Sequence, residues 1–200
     1  MKVSACLITK NEAENILRCL ESLREIADEV IVVDTGSKDN TKELALNHGA
    51  KVYHFQWDNN FSNARNFALD QINSDWVIFL DADEYFEVKT QNILIKALKR
   101  IDKNKEFDAV LCKMINTDGF KGKIISENPT VRIFRGNCGI RYQGAVHELP
   151  LKRGKSLSII SLKDIPLVIY HTGYSSASML EKTKRNLKIL ENEVEKKNNN

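Results

Sequence analysis

Hydrophobic and polar positions along the first half of the chain switch repeatedly between two periods. Val3 to Thr9 (VSACLIT) is a compact, mostly apolar run of strand length. Ala13 to Leu23 follows, with Ile16, Leu17, Leu20 and Leu23 at the spacing of one helix face. Glu29 to Asp34 (EVIVVD) carries its apolar residues as one continuous run between two acidic ends, as a parallel strand covered on both faces requires. Asp39 and Asn40 supply cap chemistry for a second helix, which Gly49 ends. Lys51 to Phe55 reads as a third strand, Ser62 to Ile72 as a third helix and Trp76 to Leu80 (WVIFL) as a fourth strand. Lys89 to Ile101 is a further helix. Repeated β–α units of this kind build a parallel, doubly wound sheet.

The second half follows another pattern. Asp108 to Ile115, Thr130 to Arg135, Ile140 to Gln143 and Leu167 to Tyr170 are strand candidates without good helices between them. Gly119, Gly122, Gly136, Gly139 and Gly144 punctuate the region. A mixed or antiparallel β half is expected. Ser178 to Lys197 closes the chain as a helix, with Leu180, Leu187, Leu190 and Val194 in an a/d-like row and a polar, fraying end. The organisation expected is one α/β domain over residues 1–175, split into halves at 1–101 and 102–175, followed by a helical appendage over 176–200. The apolar row can dock on that domain, pair with a second copy into a homodimer, or begin a longer helical array in a fuller protein.

Composition narrows the classes. Hydrophobic residues make up 42% and charged residues 28% of the 200, which excludes a disordered chain. The 30 basic and 27 acidic residues leave a net charge of +3, too little for a dedicated nucleic-acid binder. Cys6, Cys19, Cys112 and Cys138 form no C-x-x-C pair and read as reduced thiols. No apolar run reaches the roughly 18 residues of a membrane span, and Met1 to Ser4 enters a strand without a signal-peptide pattern. A cytoplasmic protein is expected.

In an open parallel sheet, ligands bind beyond the carboxyl ends of the strands. Three polar clusters fall there: Thr9 to Glu12, Asp34 to Ser37, and Asp81 to Asp83. In extended backbone Asp81 and Asp83 point to one face, where two carboxylates repel unless a cation relieves them. Mg²⁺ or Mn²⁺, held by few protein oxygens and a diphosphate, suits such a pair. Asp34 at the same edge can accept a base N–H or a ribose hydroxyl, or simply form a turn. Arg65, inside the third helix, is either a surface residue or a fixed cation near base or phosphate.

Together, ITKNEAENILRCLESL, EVIVVDTGSKDNT, NFSNARNFAL and DWVIFLDADE resemble the start of a family-2 glycosyltransferase of the GT-A fold. The segment Gly139 to Glu148 (GIRYQGAVHE) is similar to bacterial members of the lipopolysaccharide-core glucosyltransferase and peptide S-glycosyltransferase type. The resemblance implies a Rossmann-like, mostly parallel sheet followed by an acceptor-binding β half. It places Thr9, Glu12, Asp34 and Arg65 around the nucleotide base, typically uracil, and Asp81 at the ribose. It implies that Asp83 holds Mn²⁺ or Mg²⁺ against the diphosphate, with His171 or His147 as a further ligand. Glu148 matches the catalytic base, although the family's E-D pair reads His147-Glu148 here. The reaction implied is inverting transfer from a nucleotide-diphosphate sugar, most simply a UDP-sugar, to a saccharide, glycolipid or peptide; a lipid-linked acceptor would bring the protein near a membrane. Two other readings stand beside it: a non-catalytic nucleotide-sugar-binding or scaffolding module, and a sugar-phosphate nucleotidyltransferase. The second lacks its glycine-rich first loop, and a dehydrogenase is excluded because no G-x-G-x-x-G follows the first strand.

Overall fold

A computed structural model describes residues 1–103, 105–119, 122–162, 167–173 and 176–198. The first half runs β1 (Val3–Thr9), α1 (Ile16–Leu23), β2 (Glu29–Asp34), α2 (Thr41–Asn47), β3 (Lys51–His54), α3 (Phe61–Asp70), β4 (Trp76–Asp81), β5 (Glu84–Phe86) and α4 (Val88–Asp102). The second half runs β6 (Ala109–Thr117), β7 (Ile124–Arg135), β8 (Ile140–Gln143), β9 (Leu149–Lys152), β10 (Ile159–Ser161), β11 (Val168–His171) and α5 (Ser176–Asn198).

The main sheet has the order β3-β2-β1-β4-β7-β6-β11-β5, with β10 alongside β6. β1 lies between β2 and β4 and is parallel to both; β3 is parallel to β2. The β half joins through β7, antiparallel to both β4 and β6. This is the α/β architecture expected, a mainly parallel half continued by a mixed one.

Alternation along the strands sends side chains into two apolar layers. Ala5 and Leu7 of β1 with Ile78 and Leu80 of β4 pack in one layer with Ile16 and Leu23 of α1 and Leu94 and Leu98 of α4. Cys6, Val77 and Phe79 face the other, with Ala68 and Leu69 of α3 and Tyr142 of β8. Because both faces are covered, β1 and β4 are buried along almost their whole length, which explains their unbroken apolar sequences.

Register places the chemistry. Thr9 pairs with Asp34 and Ile8 with Asp81, so three strands end their apolar runs at one level with polar side chains. On the far side, β11 brings His171 level with Glu84 of β5 and Asn116 of β6. The β8–β9 hairpin is clasped to α3 by Asn66, whose side chain accepts from Tyr142 N at 2.8 Å and donates to Tyr142 O at 2.9 Å, as a neighbouring strand would. Ser62 Oγ donates to Gly144 O at 2.6 Å, and Phe61 N donates to Ala145 O at 3.0 Å. These bonds carry the loop leading to Glu148 over the sheet edge.

Several details differ from the sequence pattern. α1 starts at Ile16 because residues 13–15 form a turn. Asn40 makes no side-chain cap at α2; Asp39 instead accepts from Thr41 N at 3.1 Å and from Ala13 N at 3.1 Å, tying two loops together. β5 and β10, three residues each, are too short to carry a period, and β9 (LPLK) is made a strand by its pairing with β8. The expected apolar row of α5 does not dock: Leu187, Leu190 and Val194 are exposed, while Ile189 is buried. The expected domain boundary at residue 175, the Leu180 side chain and residues 199–200 lie outside the described residues.

Gly136 lies against the Ser74 backbone, and a Cβ there would overlap the Ser74 carbonyl oxygen. Gly136→Ala must displace the chain between α3 and β4 and is expected to cost about 3 kcal/mol of stability, measured by urea denaturation. Gly49→Ala has open space but a φ of +81° and should cost about 1 kcal/mol.

Candidate active site

A cavity of about 430 Å³ lies over the carboxyl ends of β1, β2 and β4. Thr9, Glu12, Arg65, Asp81, Asp83, His147, Glu148 and His171 all line it. Asp34 lies just beneath, wholly buried, and its neighbour Thr35 reaches the cavity wall. The structure therefore collects the residues singled out from sequence at one edge.

On the β1–β2 side, Asp34 Oδ1 accepts from Gly36 N and Ser37 N, each at 3.0 Å. Asp34 Oδ2 and Thr9 Oγ1 are buried without a hydrogen-bond partner among the described residues. Two register-paired residues thus present an unmet acceptor and an unmet hydroxyl, a combination that costs stability until a ligand satisfies it. Burial raises the Glu12 carboxyl, Asn15 lowers it by a hydrogen bond, and the charge of Asp83 adds to the rise.

At the centre, carboxylates and arginines alternate. Arg65 Nε donates to Glu148 Oε1 at 2.6 Å and Arg65 Nη2 to Asp81 Oδ1 at 2.8 Å. Arg132 of β7 donates twice to Glu84, at 2.8 and 2.6 Å, and reaches Asp81 Oδ2 at 3.3 Å. Arg65 is buried and its guanidinium lies over the rings of Phe79 and Tyr142, at 4.8 and 5.3 Å from their centroids. Loss of water around Asp81 opposes its ionisation, yet Arg65 and Arg132 hold it well below the ordinary aspartate range. Burial raises Glu84, and Arg132 only partly offsets that. Arg65, expected to support the base pocket, lines the cavity and bridges Asp81 and Glu148.

Asp83 has separate partners. The backbone turns at Ala82–Asp83 before β5, so the two aspartates do not stand in extended geometry on one face. His171 Nε2 and Lys182 Nζ each lie 3.2 Å from Asp83 Oδ2. His171 Nδ1 meets Asn116 Oδ1 at 2.9 Å. With Nδ1 donating to Asn116 Oδ1, the hydrogen bond from Nε2 to Asp83 belongs to the imidazolium; burial opposes that charge, but Asp83 raises the His171 pKa above its ordinary value, and loss of the Nε2 proton would free that nitrogen for a metal. Burial opposes ionisation of Asp83, while His171 and Lys182 bring its carboxyl below the ordinary value. His147, with φ +56°, lines the cavity beside Glu148. Among the described residues no group of three or more His, Cys, Asp or Glu is placed to hold a metal by itself.

Sequence reasoning missed several cavity and network residues, Arg132, Glu84, Lys182 and Arg185 among them. Arg132 and Glu84 gave no signal because their partnership depends on the pairing of β7 and β5 into the sheet. Lys182 and Arg185 of α5 also line the cavity, with Arg185 4.8 Å over the Phe61 ring. Cations on a polar helix ordinarily mark its solvent face, which hid the two that border the cavity.

Residues 4–145 match the family described as Glycosyl transferase family 2. The chain is 34% identical over 148 residues to the TPR repeat-containing protein Synpcc7942_0270 of Synechococcus elongatus, covering 74% of this chain and 35% of that protein. It is 30% identical over 196 residues to the SPbeta prophage-derived glycosyltransferase SunS of Bacillus subtilis, covering 94% of this chain and 44% of that one. The chain thus spans less than half the length of these curated relatives. Among solved structures, S. aureus TarS 1-349 in complex with UDP-GlcNAc superposes with a TM-score of 0.69 at 24% identity, covering 88% of this chain and 60% of that one; this likeness is one of fold.

Arg132→Met strands the buried Glu84 carboxylate and is expected to lower stability by about 3–5 kcal/mol, measured by urea denaturation, with Arg132→Lys losing less. Because the folded-state pKa of Asp81 lies below its unfolded value, its contribution is full above about pH 5 and is lost as pH falls through the folded value. The stability gap between the wild type and Asp81→Asn should therefore narrow on acidification.

Proposed function

The chain belongs to glycosyl transferase family 2, and from that premise we propose that it is an inverting, metal-dependent glycosyltransferase using a nucleoside-diphosphate sugar. The observation that carries this reading is one cavity lined by a base-like carboxylate, Glu148, the Asp83–His171 pair and Thr9, with the unmet Asp34 Oδ2 buried next to its wall. UDP is the favoured carrier. Asp34 Oδ2 is an unmet acceptor suited to an imide N–H such as uracil offers, and the structurally similar TarS carries UDP-GlcNAc.

Thr9 and Asp34 hold the base, with Glu12 at its border. Asp81, fixed by two arginines, stands next to the ribose. Asp83 and His171 offer a hard carboxylate oxygen and an imidazole nitrogen, a donor set that fits Mn²⁺ or Mg²⁺ if phosphate and water complete the shell. A cation bound there supplies the positive charge that stabilises a departing diphosphate. Glu148 accepts the acceptor's proton as its oxygen or sulfur attacks the anomeric carbon on the face opposite the leaving group. Arg65 occupies Oε1 of Glu148 and so presents Oε2 for that proton. The displacement is single and inverts the anomeric centre. The acceptor is a saccharide, glycolipid or peptide. His147, beside Glu148, is assigned to the acceptor side, because His171 already faces Asp83.

UDP release from a panel of UDP-sugars, with and without Mn²⁺, tests this. Wild type should release UDP only with the ion. Glu148→Gln should bind UDP as wild type does and lose about 10²- to 10⁴-fold in turnover; wild-type turnover in that variant places the base elsewhere. Binding without turnover for every donor and acceptor would favour the non-catalytic module.

A further inference from the structure

The face that α5 turns toward the cavity is not apolar. Lys182, Arg185 and Asn186 line the cavity and Ile189 is buried, at positions i, i+3, i+4 and i+7 of one helical stripe. The opposite stripe, Leu187, Leu190 and Val194, is exposed. Among the described side chains, Lys182 pairs with Asp83 and Arg185 lies over the Phe61 ring, at a cavity whose wall also carries Glu12, Asp81 and Glu148.

Lys182 makes the closest of these contacts. Its ammonium and His171 Nε2 converge on the same oxygen, Asp83 Oδ2, each at 3.2 Å. Gly173 borders this point; a Cβ there would overlap Asp83 Oδ2 and lie 2.8 Å from Lys182 Nζ and 2.9 Å from His171 Nε2. The groups are packed around one small volume beside the carboxylate. The charge of Lys182 also acts on Glu12 across the cavity.

We infer that Lys182 is a tethered counter-ion that takes the place of the divalent cation at Asp83 and His171, and that α5 closes over the cavity on this contact until the cation displaces it. The inference rests on the proposed metal dependence. An ammonium and a divalent ion beside one carboxylate oxygen repel strongly, and the half-exposed Lys182 side chain has solvent to withdraw into. Occupancy by one therefore disfavours the other, and that antagonism is a coupling: whatever the closed helix costs the cation in affinity, the cation costs the closed helix in population. The site keeps Asp83 paired while empty, and opens its nucleotide side only when the charge needed for a diphosphate has arrived.

The test is Mn²⁺ binding to the full 200-residue chain without nucleotide, by calorimetry, together with amide hydrogen exchange along α5. Lys182→Met should bind Mn²⁺ about tenfold more tightly than wild type, the order expected for removing one nearby charge. In wild type, Mn²⁺ should speed exchange over residues 182–190. In Lys182→Met exchange should already be fast and indifferent to Mn²⁺. Lys182→Arg, which keeps the charge, should retain the Mn²⁺ response. Equal Mn²⁺ affinity in wild type and Lys182→Met overturns the inference while leaving metal dependence standing. So does tighter binding with no Mn²⁺ response in α5 of wild type, since that is repulsion without closure. If Mn²⁺ fails to bind wild type even with UDP present, the metal reading itself falls; a loss of UDP affinity in Lys182→Met under those conditions would make Lys182 the permanent cation and overturn displacement.

Discussion

Charge balance at one sheet edge is the constraint on which this molecule depends. Glu12, Asp81, Asp83, Glu84 and Glu148 lie on or beneath a single cavity, and such a density of carboxylates is tolerable only if cations are interleaved with them. Arg65 from α3 answers Asp81 and Glu148, Arg132 from β7 answers Glu84, and His171 from β11 and Lys182 from α5 both answer Asp83. The pairs join elements from both halves, so the ligand site and the joint between the halves are one structure. Asp81 N also donates to Glu84 Oε2 at 3.1 Å, so the β4–β5 turn is braced by the same network that fixes the side chains.

The parallel half was legible in the sequence because its determinants are local. VSACLIT, EVIVVD and WVIFL are strands buried on both faces, and the polar residues that end them mark the edge where ligands bind. The register of β1 with β2 and β4 then carries Thr9, Asp34 and Asp81 to one level, as the β–α alternation implied. What could not be read is what depends on long-range pairing. Glu84 is in a strand only because β11 pairs with β5, and its partner Arg132 arrives on β7, far along the chain. A D-x-D following a strand looks like two carboxylates on one face; the turn at Ala82–Asp83 separates their partners although both still line the cavity.

The terminal helix misled for a related reason. Its most regular apolar spacing, through Leu187, Leu190 and Val194, suggested the docked face. The stripe that meets the domain instead holds Lys182, Arg185 and Asn186, because the surface it meets is acidic. A periodicity argument assumes that the partner surface is apolar, and fails where a helix covers a charged site. The cations of α5 thus border the place where a sugar donor's phosphates are proposed to lie, and under the inference drawn above Lys182 leaves it when a metal ion arrives.

The central claim is that the Asp83–His171 corner receives a cation and, with it, a nucleoside diphosphate whose base reaches Asp34. A crystal of the chain soaked with UDP and Mn²⁺, measured at the manganese absorption edge, addresses it directly. The account predicts an anomalous peak bound to Asp83 and His171, the Lys182 ammonium withdrawn from Asp83, and the base N–H on Asp34 Oδ2. UDP bound with no ion at Asp83, or with Lys182 still on that carboxylate, would contradict it.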